Sequence, residues 1–417
     1  MRKSTIILAL TLVFFSCTTE NEFVLQECST TVPELKKRSL SEVLDIAQNA
    51  ISLLGHESRS AESRSIDLEN IQYVCTNKNS RSQNSDTLLY VINYAENNGF
   101  AVVSANPNTP GLMAVTEKGN YSLISEDIND KTGIGLFMDM AEIYVSNSDN
   151  EIKGNRLDPV LELMERVDTT DTYILPKLTT KWGQLSPEGV FCPNLLSGCV
   201  NTALAQIMAY FEYPTQMNIS YENAPIASLV LDWSEMKKCK GAYNESATDI
   251  AQNSISHLCR QLGYLTGSSY NPASTTTTLY SALGVARNLG YTVSSNVIDY
   301  GDDINFQSAL DENNLILMGG FKLDNTVGHA WVVDGHLERE LHYTAYVREA
   351  NGELWQLRDE YYTYYHYNHI NWGDDGFCNG YFMMDVFNKS NAYKYDGSNN
   401  SLQGNYTENL KYFLITR

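Results

Sequence analysis

The chain has no CxxC pair, no tandem repeat, few cations and, past its first residues, no long apolar run. Each gap removes a class of function. Without CxxC pairs a zinc ribbon is disfavoured, and neither a metal nor a cofactor is expected. Only 29 Lys and Arg stand against 50 Asp and Glu, a net charge of -21. Such a chain does not attract phosphate backbones, so no nucleic-acid partner is expected. Beyond residue 17 nothing approaches the roughly 20 apolar residues that a spanning helix needs. Charged residues are a modest 19% against 43% hydrophobic, which excludes wholesale disorder. With 417 residues the chain is long enough for two or three domains.

What is present begins at the N-terminus. Met1-Arg2-Lys3 is a short basic region, an apolar run follows from Ile6 to Phe15, and Ser16-Cys17 closes it. That is the pattern of a secretory signal peptide, too short to span a bilayer. A small residue before Cys17 looks like the lipobox of bacterial lipoproteins, in which the cysteine is acylated. The expectation is a signal peptide over residues 1–17, lipidation at Cys17, and a polar tether over 18–35. It implies export and attachment to the outer membrane or cell surface through the lipid anchor, with release after processing. Removing Cys17 leaves seven cysteines (Cys28, Cys75, Cys192, Cys199, Cys239, Cys259 and Cys378), and an odd number in an exported chain points to one free, reactive thiol. Disulfide pairing among the others is left open.

Ser39, with Glu42 three residues later, predicts a capped helix start ahead of an apolar face of Val43, Leu44, Ile46, Ala47 and Ala50. Two strand patterns, 88–94 and 99–104, flank Asn97-Asn98-Gly99, a hairpin signal. Helical patterns follow at 134–144 and 160–167, and the polar stretch Thr169–Tyr173 reads as a break between domains. Further on, a helix starts near Cys199, and strands dominate after Tyr291. A helix-bearing portion followed by a sheet-rich one predicts an α+β fold.

Chemistry concentrates around Cys199. Val200, Ala203, Leu204, Ile207, Met208 and Phe211 form one helical stripe, with Cys199 at its first position behind Gly198. A helix N-terminus offers unpaired N–H groups and a positive partial charge, both of which favour a thiolate. His329 lies 130 residues downstream, at the head of the apolar run Ala330-Trp331-Val332-Val333, and suits the base. His257, His336, His342, His366 and His369 compete with it. In His369-Ile370-Asn371-Trp372-Gly373, Asn371 is placed to accept from the His329 ring and Trp372 to shield that bond. Gln184, after Trp182-Gly183, offers an amide to a developing oxyanion beside the Cys199 N–H.

Taken in order, Lys181-Trp182-Gly183-Gln184, Gly198-Cys199-Val200, Gly328-His329-Ala330-Trp331, His369-Ile370-Asn371-Trp372-Gly373 and Asn379-Gly380-Tyr381-Phe382 resemble the streptopain family of cysteine peptidases. Gly99-Phe100-Ala101-Val102-Val103-Ser104-Ala105 resembles that family's inhibitory pro-domain. The resemblance implies a papain-like peptidase domain, a nucleophile-bearing helix packed on an antiparallel sheet, over residues 173–417. It implies a small α+β pro-domain over 36–172, an intramolecular inhibitor released by cleavage between about Val167 and Lys177. By it, Gln184 matches the oxyanion glutamine, Cys199 the nucleophile and His329 the base. Asn371 and Trp372 match the residues that orient and cover the histidine. The partner is then a protein or peptide substrate. One departure stands out: Gly373-Asp374-Asp375-Gly376 replaces a Gly-Trp-Gly-Gly run, and the tyrosine-rich stretch from Gly335 to Ile370 reads as an insertion. The alternatives are a catalytically impaired surface lipoprotein that binds peptides or host proteins, and a papain-like transglutaminase or cell-wall peptidase.

Overall fold

The first helix starts where its cap predicts. Ser39 Oγ accepts from the Glu42 N–H at 3.3 Å, and the Glu42 carboxylate accepts from the Ser39 N–H at 2.6 Å. This capping box, worth about 1 kcal/mol, opens α1 (Leu40–Ala50), which buries Val43, Ala47 and Ala50. The computed structural model describes residues 37–54, 64–75, 87–122, 133–148, 161–239, 247–301, 306–321, 328–349, 354–388 and 409–417. The signal peptide, the tether, Cys17 and Cys28 lie outside the described residues.

Four strands follow α1: β1 (Ile66–Cys75), β2 (Thr87–Tyr94), β3 (Phe100–Ser104) and β4 (Leu112–Thr116). They form an antiparallel meander, with the expected turn at 97–99 joining β2 to β3. Next come α2 (Gly133–Asn147) and β5 (Leu161–Ile174). The second half holds α3 (Cys199–Phe211), α4 (Asp249–Leu265), α5 (Leu279–Asn288), β6 (Leu315–Phe321), β7 (Gly328–Glu349), β8 (Gln356–Asn371), β9 (Gly380–Met383) and β10 (Lys411–Thr416). All these strands belong to one sheet, in the order β1-β2-β3-β4-β9-β8-β7-β6-β10, with β5 added beside β7. The expected α+β architecture is therefore present, and β4 against β9 makes a single sheet of the two halves.

Continuous apolar runs in β6 and β7 have a simple cause: the sheet is covered on both faces. Leu315, Leu317, Ala330 and Val332 pack with α3, α4 and α5 on one side. Their neighbours Ile316, Met318, Trp331 and Val333 pack with the meander and α2 on the other. Period two sorts alternate residues into two cores. A large side chain such as Trp331 contributes about 1.5–3 kcal/mol by complete burial.

Two readings of the sequence need correction. Within the expected helix 160–167, the described residues 161–167 are not helical; they are the first half of β5. Its apolar spacing mimics a helix, but the partner strand decides, since Glu349↔Leu161 through His336↔Ile174 pair without a slip. The polar stretch Thr169–Tyr173 is not an irregular linker either: Thr169, Thr170, Thr172 and Tyr173 are good strand formers and complete β5. The insertion between Gly335 and Ile370 is the long hairpin of β7 and β8, whose tyrosines pair across strands as Tyr343↔Tyr361. The two rings stack 4.8 Å apart.

Candidate active site

Gly198 sets the start of α3. Its φ of +88° is a conformation that costs an L residue roughly 1–2 kcal/mol. A Cβ there would also lie 2.9 Å from Thr275 Cγ2, in the short hairpin 269–276. Only glycine turns the chain so that Cys199 becomes the first helical residue. The sulfur then meets the N–H of Val200, the N–H of Ala330 and the His329 ring. Burial alone would raise this thiol. The hydrogen bond to His329, the imidazolium charge and the two N–H groups outweigh it and bring the Cys199 pKa below its ordinary value.

His329 responds in the opposite sense. Burial would lower it, but the bond and charge of Cys199 raise it, with further help from the Trp372 carbonyl and Asp374. Its Nε2 donates to the Trp372 carbonyl at 2.8 Å, which leaves Nδ1 to face the thiol. Each partner thus favours the charged form of the other.

The expected bond from Asn371 to His329 is replaced by that backbone carbonyl. Asn371 points elsewhere: its amide donates to the Thr180 carbonyl at 3.0 Å, and its Oδ1 accepts from the Gly373 N–H at 3.0 Å and Gln206 Nε2 at 3.1 Å. Gln206 Oε1 in turn accepts from Thr180 Oγ1 at 3.0 Å and the Trp182 N–H at 3.2 Å. Asn371 therefore acts on the histidine at one remove, by fixing the turn that carries the Trp372 carbonyl. Trp372 does cover the ring, with centroids 6.2 Å apart, and Trp331 stacks on the histidine at 6.4 Å. All three side chains are buried.

Gln184 is brought to the same place by its backbone. Its carbonyl accepts from the Ser197 N–H at 2.9 Å, and the Gly183 carbonyl accepts from Thr202 Oγ1 at 3.0 Å. The loop bearing Gln184 is thereby tied to both sides of Cys199. Gly183 lets the two loops approach closely: a Cβ there would lie 2.7 Å from Asp375 Oδ1. That contact sets the acidic Asp374-Asp375 loop beside the Gln184 turn, with Asp374 in the field of His329.

Sequence reasoning missed Gln206, which lies off the apolar stripe of α3 and reads as solvent-facing, yet is fully buried. The available signal was that 199–211 carry no charged residue at all, the mark of a helix buried all round. It also left His369 as one competitor among five. The structure separates it from the thiol and sets it between two carboxylates, Asp334 Oδ1 at 2.6 Å and Glu117 Oε1 at 3.1 Å. Every described cysteine (Cys75, Cys192, Cys199, Cys239, Cys259 and Cys378) is a free thiol, so the odd-number argument does not single out Cys199. Its surroundings do: burial pushes the Cys192, Cys239, Cys259 and Cys378 thiols up, while Cys199 falls.

A thiol paired with an imidazole at a helix start, on a sheet shared with an N-terminal meander, defines a cysteine-type peptidase joined to an inhibitor-like domain. The comparisons give the same class: residues 179–382 match the Peptidase C10 family and residues 36–136 the Spi protease inhibitor family. Residues 179–382 are thus a cysteine-type peptidase region of the C10 kind, preceded by an inhibitor-like region over residues 36–136. Streptopain of Streptococcus pyogenes serotype M1 is 24% identical over 352 residues, 73% of this chain and 76% of streptopain. The thiol protease/hemagglutinin PrtT of Porphyromonas gingivalis is 22% identical over 342 residues, 74% of this chain and 35% of PrtT. A solved fragment of prointerpain A from Prevotella intermedia shares the fold, with a TM-score of 0.52 at 19% identity, over 85% of this chain and 98% of the fragment.

Proposed function

We propose that this chain is an exported cysteine endopeptidase made as a zymogen, with Cys199 as nucleophile and His329 as its base. One observation carries the reading: Cys199 opens α3 behind Gly198 with the His329 ring against its sulfur, a contact that lowers the thiol and raises the imidazole. The thiolate attacks a peptide carbonyl, and the Cys199 N–H and the Gln184 amide stabilise the oxyanion. His329 protonates the leaving amine, and water then hydrolyses the thioester. Asn371 and Trp372 hold and cover the histidine through the turn at Gly373.

Residues 36–172 are the inhibitory pro-domain in this reading, and 173–417 the peptidase. The cleavage window, 167–177, overlaps β5, which pairs along β7 as far as Ile174. Processing therefore requires β5 to peel from β7 first. Export follows from the signal pattern, with an acyl anchor on Cys17; labelled palmitate that fails to enter the wild type would remove the anchor.

The test is a paired incubation of wild-type and Cys199→Ala precursors under mildly reducing conditions, followed by intact mass and hydrolysis of an unfolded protein. Shortening to a fragment that begins near residue 170, with activity gained only in wild type, is expected. A Cys199→Ala chain that hydrolyses as fast as wild type overturns the assignment.

A further inference from the structure

The N-terminal part and the peptidase meet along β4 and β9. Thr116 faces Gly380, Val115 faces Tyr381 and Ala114 faces Phe382 in antiparallel register. Pairing continues past the strand, with the Glu117 N–H donating to the Asn379 carbonyl at 2.8 Å and the Cys378 N–H to the Lys118 carbonyl at 3.1 Å. An extended segment is thus laid along a sheet edge, the geometry of strand addition.

At its end the Glu117 carboxylate reaches two cations of the peptidase. Oε1 lies 3.1 Å from His369 Nε2, and Oε2 lies 3.2 Å from Lys181 Nζ. The other face of His369 is bonded to Asp334, which is completely buried. Burial would lower the His369 pKa, but Asp334 and Glu117 push it up to about 10. It is a cation at any ordinary pH. Tyr381 stands edge-on to its ring, and the Glu117 carbonyl accepts from Arg64. With Glu117 in place, two carboxylates face two cations. Without it, one carboxylate faces two, and β9 presents an unpaired backbone edge.

We propose that, in the peptidase freed of its N-terminal part, the β9 edge with His369 and Lys181 is an exosite for an extended acidic segment of a polypeptide substrate. The segment adds as a strand and sets a Glu or Asp carboxylate where Glu117 sits. The proposal rests on the zymogen reading, since only maturation vacates this edge. Glu117 and β4 are the template for the occupant, because they satisfy the same backbone groups and the same two cations.

The probe is a fluorophore-labelled octapeptide of residues 112–119, alongside its Glu117→Gln counterpart. Each is titrated into the full precursor and into the protein matured from it. Anisotropy is expected to show saturable binding to the matured protein alone, about 10-fold weaker for the Gln peptide, as loss of a charged hydrogen bond implies. Lys181→Met, introduced into the full chain before maturation, is expected to weaken the Glu peptide and leave the Gln peptide little changed. The Glu peptide should also slow hydrolysis of casein, an acidic unfolded protein, while sparing a short peptide amide. Equal binding of the two peptides, equal suppression of the two substrates, or an N-terminal part that stays on the matured peptidase each overturns the exosite. Intact mass keeps the failures apart. A chain that never shortens sinks the zymogen reading and the exosite together; a shortened, active chain indifferent to the peptides sinks the exosite alone.

Discussion

Two buried histidines in the shared sheet show how neighbours divide one side chain into two tasks. His329 heads β7 and His369 lies near the end of β8. Both are pushed above the ordinary imidazole value against the pull of burial. His329 is raised by a thiol that is itself lowered by the imidazole, so the two titrate as one coupled pair. His369 is raised by two carboxylates, at 2.6 and 3.1 Å, and keeps its proton to about 10. A proton that moves serves chemistry, and a proton that stays serves architecture.

The comparison breaks first at His329. In the proposed mechanism, replacing it with alanine removes the base, and with it the charge that lowers the thiol. Activity should fall by about 10⁴-fold, the scale of losing one member of a catalytic constellation. The rate of Cys199 alkylation by iodoacetamide should also change its pH profile. In wild type its midpoint lies below the ordinary thiol value; in His329→Ala it should move up, since burial is the largest remaining influence. An unmoved midpoint would mean that His329 does not set the thiol.

At His369 the expected loss is in stability. His369→Gln leaves the buried Asp334 without its cation and Glu117 with Lys181 alone, which costs about 3–5 kcal/mol. The pH dependence follows from the raised pKa. The folded state binds this proton more tightly than the unfolded chain, so its contribution is complete below the ordinary imidazole value and is lost as pH rises toward about 10. Thermal melts of the wild-type precursor should fall over that window. In His369→Gln the melts should start lower and show a smaller fall there; an equal fall in both proteins would assign it to other groups.

Much of this was legible in the chain, and the rest was hidden for a physical reason. The capping box at Ser39, the turn at 97–99 and the stripe of α3 are all short-range patterns, and they appear where their spacing predicts. Cys199, His329, Gln184 and Trp372 were singled out by an ordered set of motifs, and the structure sets His329 beside both Cys199 and Trp372. What the chain hid is set by partners far away in sequence. β5 follows its pairing with β7 and not its own apolar spacing. Asn371 was given a side-chain bond to His329, whereas Gln206 and Thr180, 165 and 191 positions off, take that amide. The charge of His369 is held by Asp334, 35 positions off, with help from Glu117, 252 positions away. A local pattern holds no trace of such neighbours.

The smallest effect tests the departure from the family at the active-site loop. Asp374 is a weaker contributor to the raised His329 pKa than Cys199 or the Trp372 carbonyl. Its own carboxyl is raised by burial and lowered in part by the imidazolium. Around the alkaline limb of the activity profile it is ionised and helps His329 keep its proton. Asp374→Asn removes that help, so the alkaline limb should move toward lower pH. In acid the wild-type carboxyl takes up a proton and becomes as neutral as the asparagine, so the two acid limbs should converge. Profiles of kcat/KM on a short peptide amide from acid to alkaline pH read both ends at once. An alkaline limb that stays fixed, or moves the other way, would place the Asp374 charge outside the field of His329. The shift is measured against His369, where two carboxylates in direct contact move an imidazole up to about 10. Asp374, acting through its field, marks the weak end of the same scale.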